Sequence, residues 1–183
     1  MFIEDGTGKG FRAEVDSKNR LDVHAENESR REGLDSGKSW SLAFNVTDPA
    51  GADDYFVHIN NTGSATYIIT DIRTFSTVAG SIEVHKVTGT ASYAGAVALD
   101  ITSRNLGSAV LPTGTFNSDT NTTGLTNAGV LMYMYHPANT NTDLLLRAGI
   151  IVPPGTQIAL LWDTGTGILS GTISMYEHPE GAS

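Results

Sequence analysis

Apolar and polar residues alternate along most of this chain after Trp40, with the two-residue period of a β-strand. In residues 40–46, Trp40, Leu42, Phe44 and Val46 fall on one face, because successive side chains of a strand point to opposite sides. Similar runs occupy 55–60, 65–75, 82–87, 96–101, 130–135, 144–151, 158–162 and 172–177. Turn residues separate the runs at intervals of roughly ten residues, and no amphipathic helix intervenes. The pattern predicts an all-β jelly roll or sandwich of about eight strands.

The segments between the runs predict where the strands end. Residues 114–129 are rich in Gly, Asn and Thr and predict a long loop. The sequence His136-Pro137 predicts the end of the strand at 130–135. Residues 153–156 predict a tight turn with one proline at the first central position and Gly155 at the second, where a positive φ is needed.

The first forty residues differ in composition from the rest. They hold seven of the eleven basic residues and nine of the twenty acidic ones, with few large apolar residues. Such a segment cannot bury enough apolar surface to form a core of its own. The change in composition divides the chain into an N-terminal arm, residues 1–39, and a β-sandwich domain, residues 40–183.

Within the arm, short alternations predict local structure. The apolar positions of 11–15 and 21–23 predict a hairpin around residues 16–19. Residues 26–32 predict a helical turn.

Composition and charge exclude several classes of protein. The net charge is −9 and no basic stripe is present, so nucleic acid is not an expected partner. No stretch reaches the ~18 apolar residues of a membrane helix. Residues 1–10 are polar and lack the apolar core of a signal peptide. Cysteine is absent, which excludes disulfides and cysteine-based metal sites.

No motif predicts catalysis. His58 and His85 lie in predicted strands, and their favoured interpretation is as hydrogen-bonded sheet residues rather than as a metal pair. Residues 53–54, two aspartates, are interpreted as a solvated loop rather than a calcium site. Residues 163–165 read Asp-Thr-Gly but have no second copy, and residues 6–10 lack a full phosphate-loop pattern. No catalytic residue, cofactor or metal ligand is therefore assigned.

Residues 130–135 are nearly continuous in apolar character, which indicates a strand buried on both faces. One face would belong to the core and the other to an oligomer interface formed by Met132, Tyr133, Met134 and Tyr135. The alternative is a central strand of the domain with no interface.

The N-terminal motif is the most specific feature of the chain. From Phe2 to Leu21 the residues read Phe-Ile-Glu-Asp-Gly-Thr-Gly-Lys-Gly-Phe-Arg-Ala-Glu-Val-Asp-Ser-Lys-Asn-Arg-Leu. This segment resembles the start of accessory structural proteins of tailed bacteriophages, in which a similar motif precedes a β-rich body. Residues 56–63, 152–160 and 174–179 are also similar to segments of these proteins.

The resemblance implies a virion component, namely a capsid decoration or cement protein with a jelly-roll body. Such a protein is expected on the capsid surface, is assembled in the cytoplasm of the bacterial host and commonly forms a homotrimer. Its arm is expected to dock on the major capsid protein or on a neighbouring subunit. The arm residues predicted to make this contact are Phe2, Lys9, Phe11, Arg12, Arg20, Leu21, Arg30 and Arg31. An arm that packs on its own domain is the open alternative.

A second function class is an attachment module of a tail, baseplate or head fibre that recognises host glycan or another tail protein. That class predicts exposed aromatic residues in loops such as 114–129. A glycan hydrolase would need two carboxylates ~5–9.5 Å apart in a groove, and no spacing in the sequence indicates such a pair.

Overall fold

The computed structural model describes residues 2–4, 12–15, 21–22, 36–47, 49, 51 and 54–178. These residues form thirteen β-strands in three antiparallel sheets, and no helix occurs among them. The all-β prediction is confirmed. β-Branched and aromatic residues fill the strands, as in the run Tyr-Ile-Ile-Thr-Asp-Ile-Arg-Thr-Phe of residues 67–75, because such side chains fit a pleated, half-buried surface.

The smallest sheet lies in the arm segment. Its strands, in spatial order, are β1 (Phe2–Glu4), β2 (Arg12–Val15) and β3 (Leu21–Asp22). The predicted hairpin is confirmed, because Val15 pairs with Leu21 in the antiparallel ladder of β2 and β3. Strand β1 was not predicted, because three residues are too few to show an alternation. The predicted helical turn at 26–32 lies outside the described residues.

Two five-stranded sheets form the body. In spatial order the first contains β11 (Thr140–Val152), β6 (Tyr67–Ser76), β13 (Ile168–Glu177), β4 (Ser39–Thr47) and β9 (Asp100–Ser103). The second contains β5 (Asp54–Asn60), β12 (Gln157–Trp162), β7 (Gly80–Tyr93), β10 (Thr115–His136) and β8 (Val97–Ala98).

The eight long strands pair as one nested hairpin. Strand β4 pairs with β13, β5 with β12, β6 with β11, and β7 with β10, all antiparallel. The first and third pairs lie in one sheet, and the second and fourth lie in the other. The chain is therefore a long antiparallel ribbon wound so that successive strand pairs alternate between the two sheets.

The hydrophobic core lies between these sheets. Trp40, Phe56, Ile72, Trp162 and Ile173 are each fully buried there. Burying a large apolar side chain stabilises a fold by roughly 1.5–3 kcal/mol, so residues of this kind contribute most of the stability. The four apolar residues predicted to share a face of β4 are all buried.

The predicted loop at 114–129 is wrong, because Thr115–His136 forms the single long strand β10. Its first residues pair with β5, and the stretch from Thr122 onwards pairs with β7. Strands β5 and β7 both lie far before β10 in the sequence, so the local pattern of residues 114–129 does not indicate these pairings. Many of its side chains are small, polar and at least partly exposed, so the sequence has a loop-like composition although its backbone is paired.

Two further expectations are refined. The weak strand predicted at 96–101 is divided into β8 and β9, which lie in different sheets, because Leu99 between them enters the core. The predicted turn at 153–156 is confirmed: the Thr156 N–H donates to the Pro153 carbonyl at 3.2 Å. Gly155 has φ +72°, so Pro154 occupies the first central position.

Strand β10 also links the two ends of its sheet. Thr122 is paired with Tyr55 of β5 and with Tyr93 of β7. Strands β5, β12, β7 and β10 therefore form a closed circuit of pairings. This closure brings the far end of β7 back beside β5, where the polar network described below is found.

Candidate functional site

The predicted interface strand has one buried and one exposed face in the single chain. Met134 lies in the core and Met132 packs against it, whereas Tyr133 is 63% and Tyr135 62% exposed. The alternative of a central strand covered on both faces within the domain is therefore wrong, and Met132 and Met134 face the core rather than the exposed surface. Among the described elements, those that contact β10 are its sheet neighbours and strands of the facing sheet, so the packing inside one chain covers only the inner face of β10 at this point. The interface role of the outer face stays a prediction.

The exposed residues of β10 form an uncharged apolar surface. Val130 is 53% and Leu131 47% exposed, next to the two tyrosines. We call Val130, Leu131, Tyr133 and Tyr135 the β10 patch. From residue 120 to residue 142 the sequence contains no Asp, Glu, Lys or Arg, although the chain carries a net charge of −9. The patch is thus apolar and lies within the longest uncharged stretch of an acidic protein.

A groove of about 860 Å³ lies beside the β10 patch. It opens between β10 and β11, which are neighbours across the two sheets. In the described part of the chain, β11 pairs only with β6, and β10 beyond Thr123 pairs only with β7. Core-facing residues line the groove, including Met132, Leu144, Leu146 and Ile150. The sandwich is therefore open along this edge, and part of its apolar interior is accessible.

An irregularity in β11 accompanies the opening. The ladder between β11 and β6 shifts register between Leu145 and Ile150, so residues 146–149 leave the regular pairing. Gly149 has φ +69° within this bulge, a conformation that favours glycine. Bulges bend the strand that carries them. Here the bulge borders the groove, because Leu146, Gly149 and Ile150 all line it.

Lys86 is the charged residue among the described lining of the groove. It continues the inward-facing series of Ile82 and Val84 on β7, both of which are buried in the core. Lys86 itself is exposed, because the groove leaves it open to solvent. A cation on the inner side of a sandwich sheet needs water or an anion nearby, since burying an unpaired charge is costly.

A polar network lies on the opposite, outer side of the same sheet. Its centre is Ala159 of β12, which pairs with His58 on one side and with His85 on the other. The two histidines are 2% and 3% exposed. Tyr93 covers the ring of His58 and Tyr55 covers the ring of His85, with centroid distances of 6.0 Å and 5.6 Å.

The hydrogen bonds of His58 define its neutral tautomer. The Gln157 side-chain nitrogen donates to the Gly89 carbonyl at 3.2 Å, so Gln157 Oε1 faces the histidine. His58 Nε2–H donates to that oxygen at 2.9 Å, and Nδ1 accepts from the Tyr93 hydroxyl at 2.6 Å. Burial lowers the pKa of His58, although the Gln157 hydrogen bond opposes the shift.

His85 has an analogous arrangement. Its Nε2–H donates to the Glu83 carboxylate at 2.7 Å, and its Nδ1 accepts from the Tyr55 hydroxyl at 2.9 Å. Burial raises the pKa of Tyr55, and the charge of Glu83 raises it further. Burial also raises the pKa of Tyr93. Both phenols are therefore held protonated and act as donors to the histidines.

The structure separates the other residues considered for chemistry. His58 and His85 are not on adjacent strands, since β12 lies between them, and their ring nitrogens are all hydrogen-bonded within the protein. Asp163 accepts from the Ser81 N–H at 2.7 Å, as expected for a turn residue. The described residues contain no cluster of three or more His, Asp or Glu side chains placed to hold a metal ion.

The arm residues predicted to contact a partner are only partly described. Phe2, Arg12 and Leu21 lie in β1, β2 and β3, respectively. The others lie outside the described residues: Lys9, Phe11, Arg20, Arg30 and Arg31.

The expectation of exposed aromatic residues at 114–129 is wrong. The aromatic residue of this segment, Phe116, is 5% exposed and packs in the core. Tyr133 and Tyr135 are the exposed aromatics among the described residues. The groove was not predicted. The series Ile82, Val84 and Lys86 nevertheless indicated it, because it places a lysine on the inward face of a strand.

Comparison with known proteins adds no relative to this description. A membrane-spanning helix is absent from the part of the chain that the structure describes. No model of a protein family, no curated protein and no solved structure matches this chain.

Proposed function

We propose that this chain is a structural, non-catalytic subunit of a bacteriophage particle, bound to the capsid surface as a decoration or cement protein. The body self-associates, and the N-terminal arm docks on the major capsid protein or on a neighbouring subunit. The observation that carries the proposal is the β10 patch, an exposed, uncharged apolar surface on a protein of net charge −9. The phage context comes from the resemblance of residues 2–21.

The strand order supports a jelly-roll body. A jelly roll has eight strands in two sheets with Greek-key connections. In this chain β4 pairs with β13, β5 with β12, β6 with β11 and β7 with β10. The first and third pairs form a four-stranded unit in one sheet, and the second and fourth pairs form a four-stranded unit in the other sheet. This alternation of successive pairs between two sheets is the arrangement of a jelly roll. Short strands β8 and β9 extend the edges of these units.

The chemistry of the β10 patch favours association with further copies of the chain. Tyrosine is enriched at protein interfaces, and charged residues are depleted at interface cores. Two acidic copies repel each other wherever their carboxylates come close, so an uncharged face is where contact costs least. We propose a ring of three copies, in which different surfaces of neighbouring subunits meet and the rotation closes.

The mixed charge of the arm suits docking on another protein. Residues 1–40 carry both signs of charge and can form complementary ion pairs with a partner surface. An oligomer presents several arms at once, so weak individual contacts on a symmetric lattice add to firm attachment.

Binding to empty capsids tests this function. Purified full-length protein and a variant lacking residues 1–38 are each mixed with capsids, and the bound copies are counted after sedimentation. We expect saturable binding of the full-length chain and a loss of at least about tenfold in affinity without the arm. The truncation also removes the ion pair between Lys38 and Glu177, so Lys38→Ala in the full chain is the control.

The outcomes separate the parts of the proposal. Equal binding of the truncated and full-length chains contradicts the role of the arm, provided that circular dichroism shows the truncated chain to be folded. Absence of binding by the folded full-length chain contradicts the capsid role itself.

A further inference from the structure

We infer that the groove between β10 and β11 receives residues 2–5 of the arm of a second copy. Phe2 and Ile3 enter the apolar groove, and Glu4 or Asp5 pairs with Lys86. This inference deepens the proposed function, on which it rests, by naming the site and the segment through which neighbouring subunits are joined.

The groove defines the chemistry of its occupant. Its walls include Met132, Leu144, Leu146 and Ile150, which would be buried more completely by an apolar partner. Any occupant that covers the groove also removes water from Lys86. A carboxylate on the occupant pairs with this cation and offsets the cost of removing its water. The fitting ligand is thus a short segment with large apolar residues next to acidic ones.

The start of this chain has that composition. Phe2 and Ile3 are followed at once by Glu4 and Asp5. Phe2–Glu4 is extended as β1, and β1 is an outer strand of the small sheet, so one of its edges is open in the described pairing. The groove is bordered by the open edges of β10 and β11. An extended segment can therefore add backbone hydrogen bonds to the apolar contact, as in other cases of strand addition.

The position where the arm leaves the body favours a second copy as its source. The arm joins β4 through Gly37, whose carbonyl accepts from the Ser103 hydroxyl at 3.3 Å. In the sheet order β11-β6-β13-β4-β9, this junction lies near the edge opposite the groove. Residues 23–35 connect the small sheet to this junction and span at most roughly 45 Å when extended. The arm thus leaves the body on the side facing away from its own groove, and its length allows the small sheet to reach a neighbouring copy that lies against the body.

The β10 patch strengthens the choice of a second copy. Leu131 belongs both to the patch and to the groove lining, and Ile151 on the other rim is 61% exposed. Self-association through the patch brings another body against the groove, so its arm needs only a short path. The two contacts then form one continuous interface.

Disulfide trapping tests the inference, because the natural chain contains no cysteine. One batch of full-length protein carries Ile3→Cys and a second, of different mass, carries Ile151→Cys. The batches are mixed under mild oxidation, and heterodimers are measured by mass on a non-reducing gel. The matched control replaces Ile151→Cys by Asn45→Cys, an exposed position on β4 at the other side of the sheet. We expect about tenfold more heterodimer from the first pair, and equal yields overturn the inference.

A single chain carrying both Ile3→Cys and Ile151→Cys distinguishes the source of the arm. Disulfide-linked oligomers support docking between copies. A product that is entirely monomeric and has no free thiol means that each arm fills its own groove, and it overturns the inference of a second copy.

Charge reversal tests the ion pair. In the trapping mixture, Lys86→Glu in the Ile151→Cys chain should lower the heterodimer yield by about fivefold, an effect of the size expected for a partly buried ion pair. Glu4→Lys with Asp5→Lys in the Ile3→Cys chain should restore it. Arg104→Glu, an exposed position elsewhere on the body, is the control and should change little. An unchanged yield with Lys86→Glu overturns the proposed pairing.

The trapping and capsid experiments test different parts of the proposal, so either one can contradict its part while the other supports its own. If trapping fails but the full-length chain binds capsids and loses binding without residues 1–38, the groove is not the docking site and the capsid function stands. If trapping succeeds but no capsid binding occurs, the docking site stands and the capsid function is contradicted.

Discussion

His58 and His85 illustrate how single residues are held in this protein. Each accepts a hydrogen bond from a tyrosine hydroxyl and donates one to a side-chain oxygen, and each is almost fully buried. A buried polar group that lacked a partner would cost about 1–3 kcal/mol. Ala159 between them is small enough to leave space for both rings. The network therefore supplies hydrogen-bond partners to both imidazoles, without which their burial would be costly.

The pKa of His58 predicts how stability depends on pH. Burial lowers this pKa below its ordinary value of about 6.5, which the unfolded chain retains. As the pH falls below about 6.5, the unfolded state binds a proton that native His58 does not. The free energy of unfolding therefore decreases, by at most about 1.4 kcal/mol per pH unit from this residue, until the native pKa is reached.

His58→Gln should make this dependence shallower, because the variant has no titrating group there. The measurement is urea unfolding between pH 7.5 and pH 5.5, and the compared quantity is the change with pH rather than the absolute stability. His178→Gln, at a half-exposed histidine, is the control. Identical pH dependence in the parent and in His58→Gln would contradict the assignment.

At the scale of elements, the first sheet depends on a close approach at Gly171 of β13. A Cβ atom at this position would lie 2.1 Å from the Arg73 carbonyl oxygen of β6 and 2.7 Å from the Phe44 ring of β4. The backbone oxygen is part of the sheet ladder and cannot move aside without disturbing the pairing of β13 with β6. Glycine is therefore needed here for space.

Gly171→Ala should destabilise the protein by about 2–3 kcal/mol, as overpacking of this kind commonly does. The measurement is thermal or chemical unfolding. Gly95→Ala is the control, since a Cβ there meets nothing closer than 3.9 Å and its change should stay within about 0.5 kcal/mol. If Gly171→Ala lowers the free energy of unfolding no more than the control does, the strands can separate at this position at little cost.

At the scale of the whole molecule, charge is unevenly distributed. The arm region has a mixture of both signs, whereas residues 41–183 hold four basic residues against eleven acidic ones. The β10 patch lies in an uncharged stretch of this acidic body. Glu83 of β7 is the cross-strand partner of Tyr133 and is hydrogen-bonded to His85, and the patch residues themselves carry no charge. In the proposed oligomer, contact through the patch would therefore bring fewer carboxylates together than contact through other parts of the surface.

Tyr135→Asp should weaken self-association by at least about 30-fold, the loss of one strong interface residue. Tyr135 is 62% exposed, so the fold of the single chain should be unaffected. Sedimentation velocity over a range of concentrations measures the assembly state. Asn45→Asp adds the same charge at an exposed position on β4 and should leave the oligomer intact. If Tyr135→Asp and Asn45→Asp have the same association constant, the assignment of the β10 patch is contradicted.

The alternation of residues was sufficient to predict most of the strands. Trp40 to Val46 shows why: side chains two apart share a face, so burial against a single core imposes the pattern locally. The turn at 153–156 was predicted for a similar reason, since the φ of Pro154 and Gly155 depends on those residues themselves. The candidate site was predicted only in part: Tyr133 and Tyr135 were assigned to an interface and are exposed, but Met132 and Met134 were assigned to it as well and face the core.

By itself, the sequence determined the β class, the main strands, the hairpin of the arm and the uncharged character of residues 120–142, because each follows from neighbouring residues. Only the tertiary structure decided that 115–129 is paired, that β10 and β11 leave a groove, and that His58 and His85 flank one alanine. These features depend on which strands become neighbours or remain edges. Packing between residues far apart in the chain determines which strands become neighbours, and the local alternation of apolar and polar residues does not indicate it.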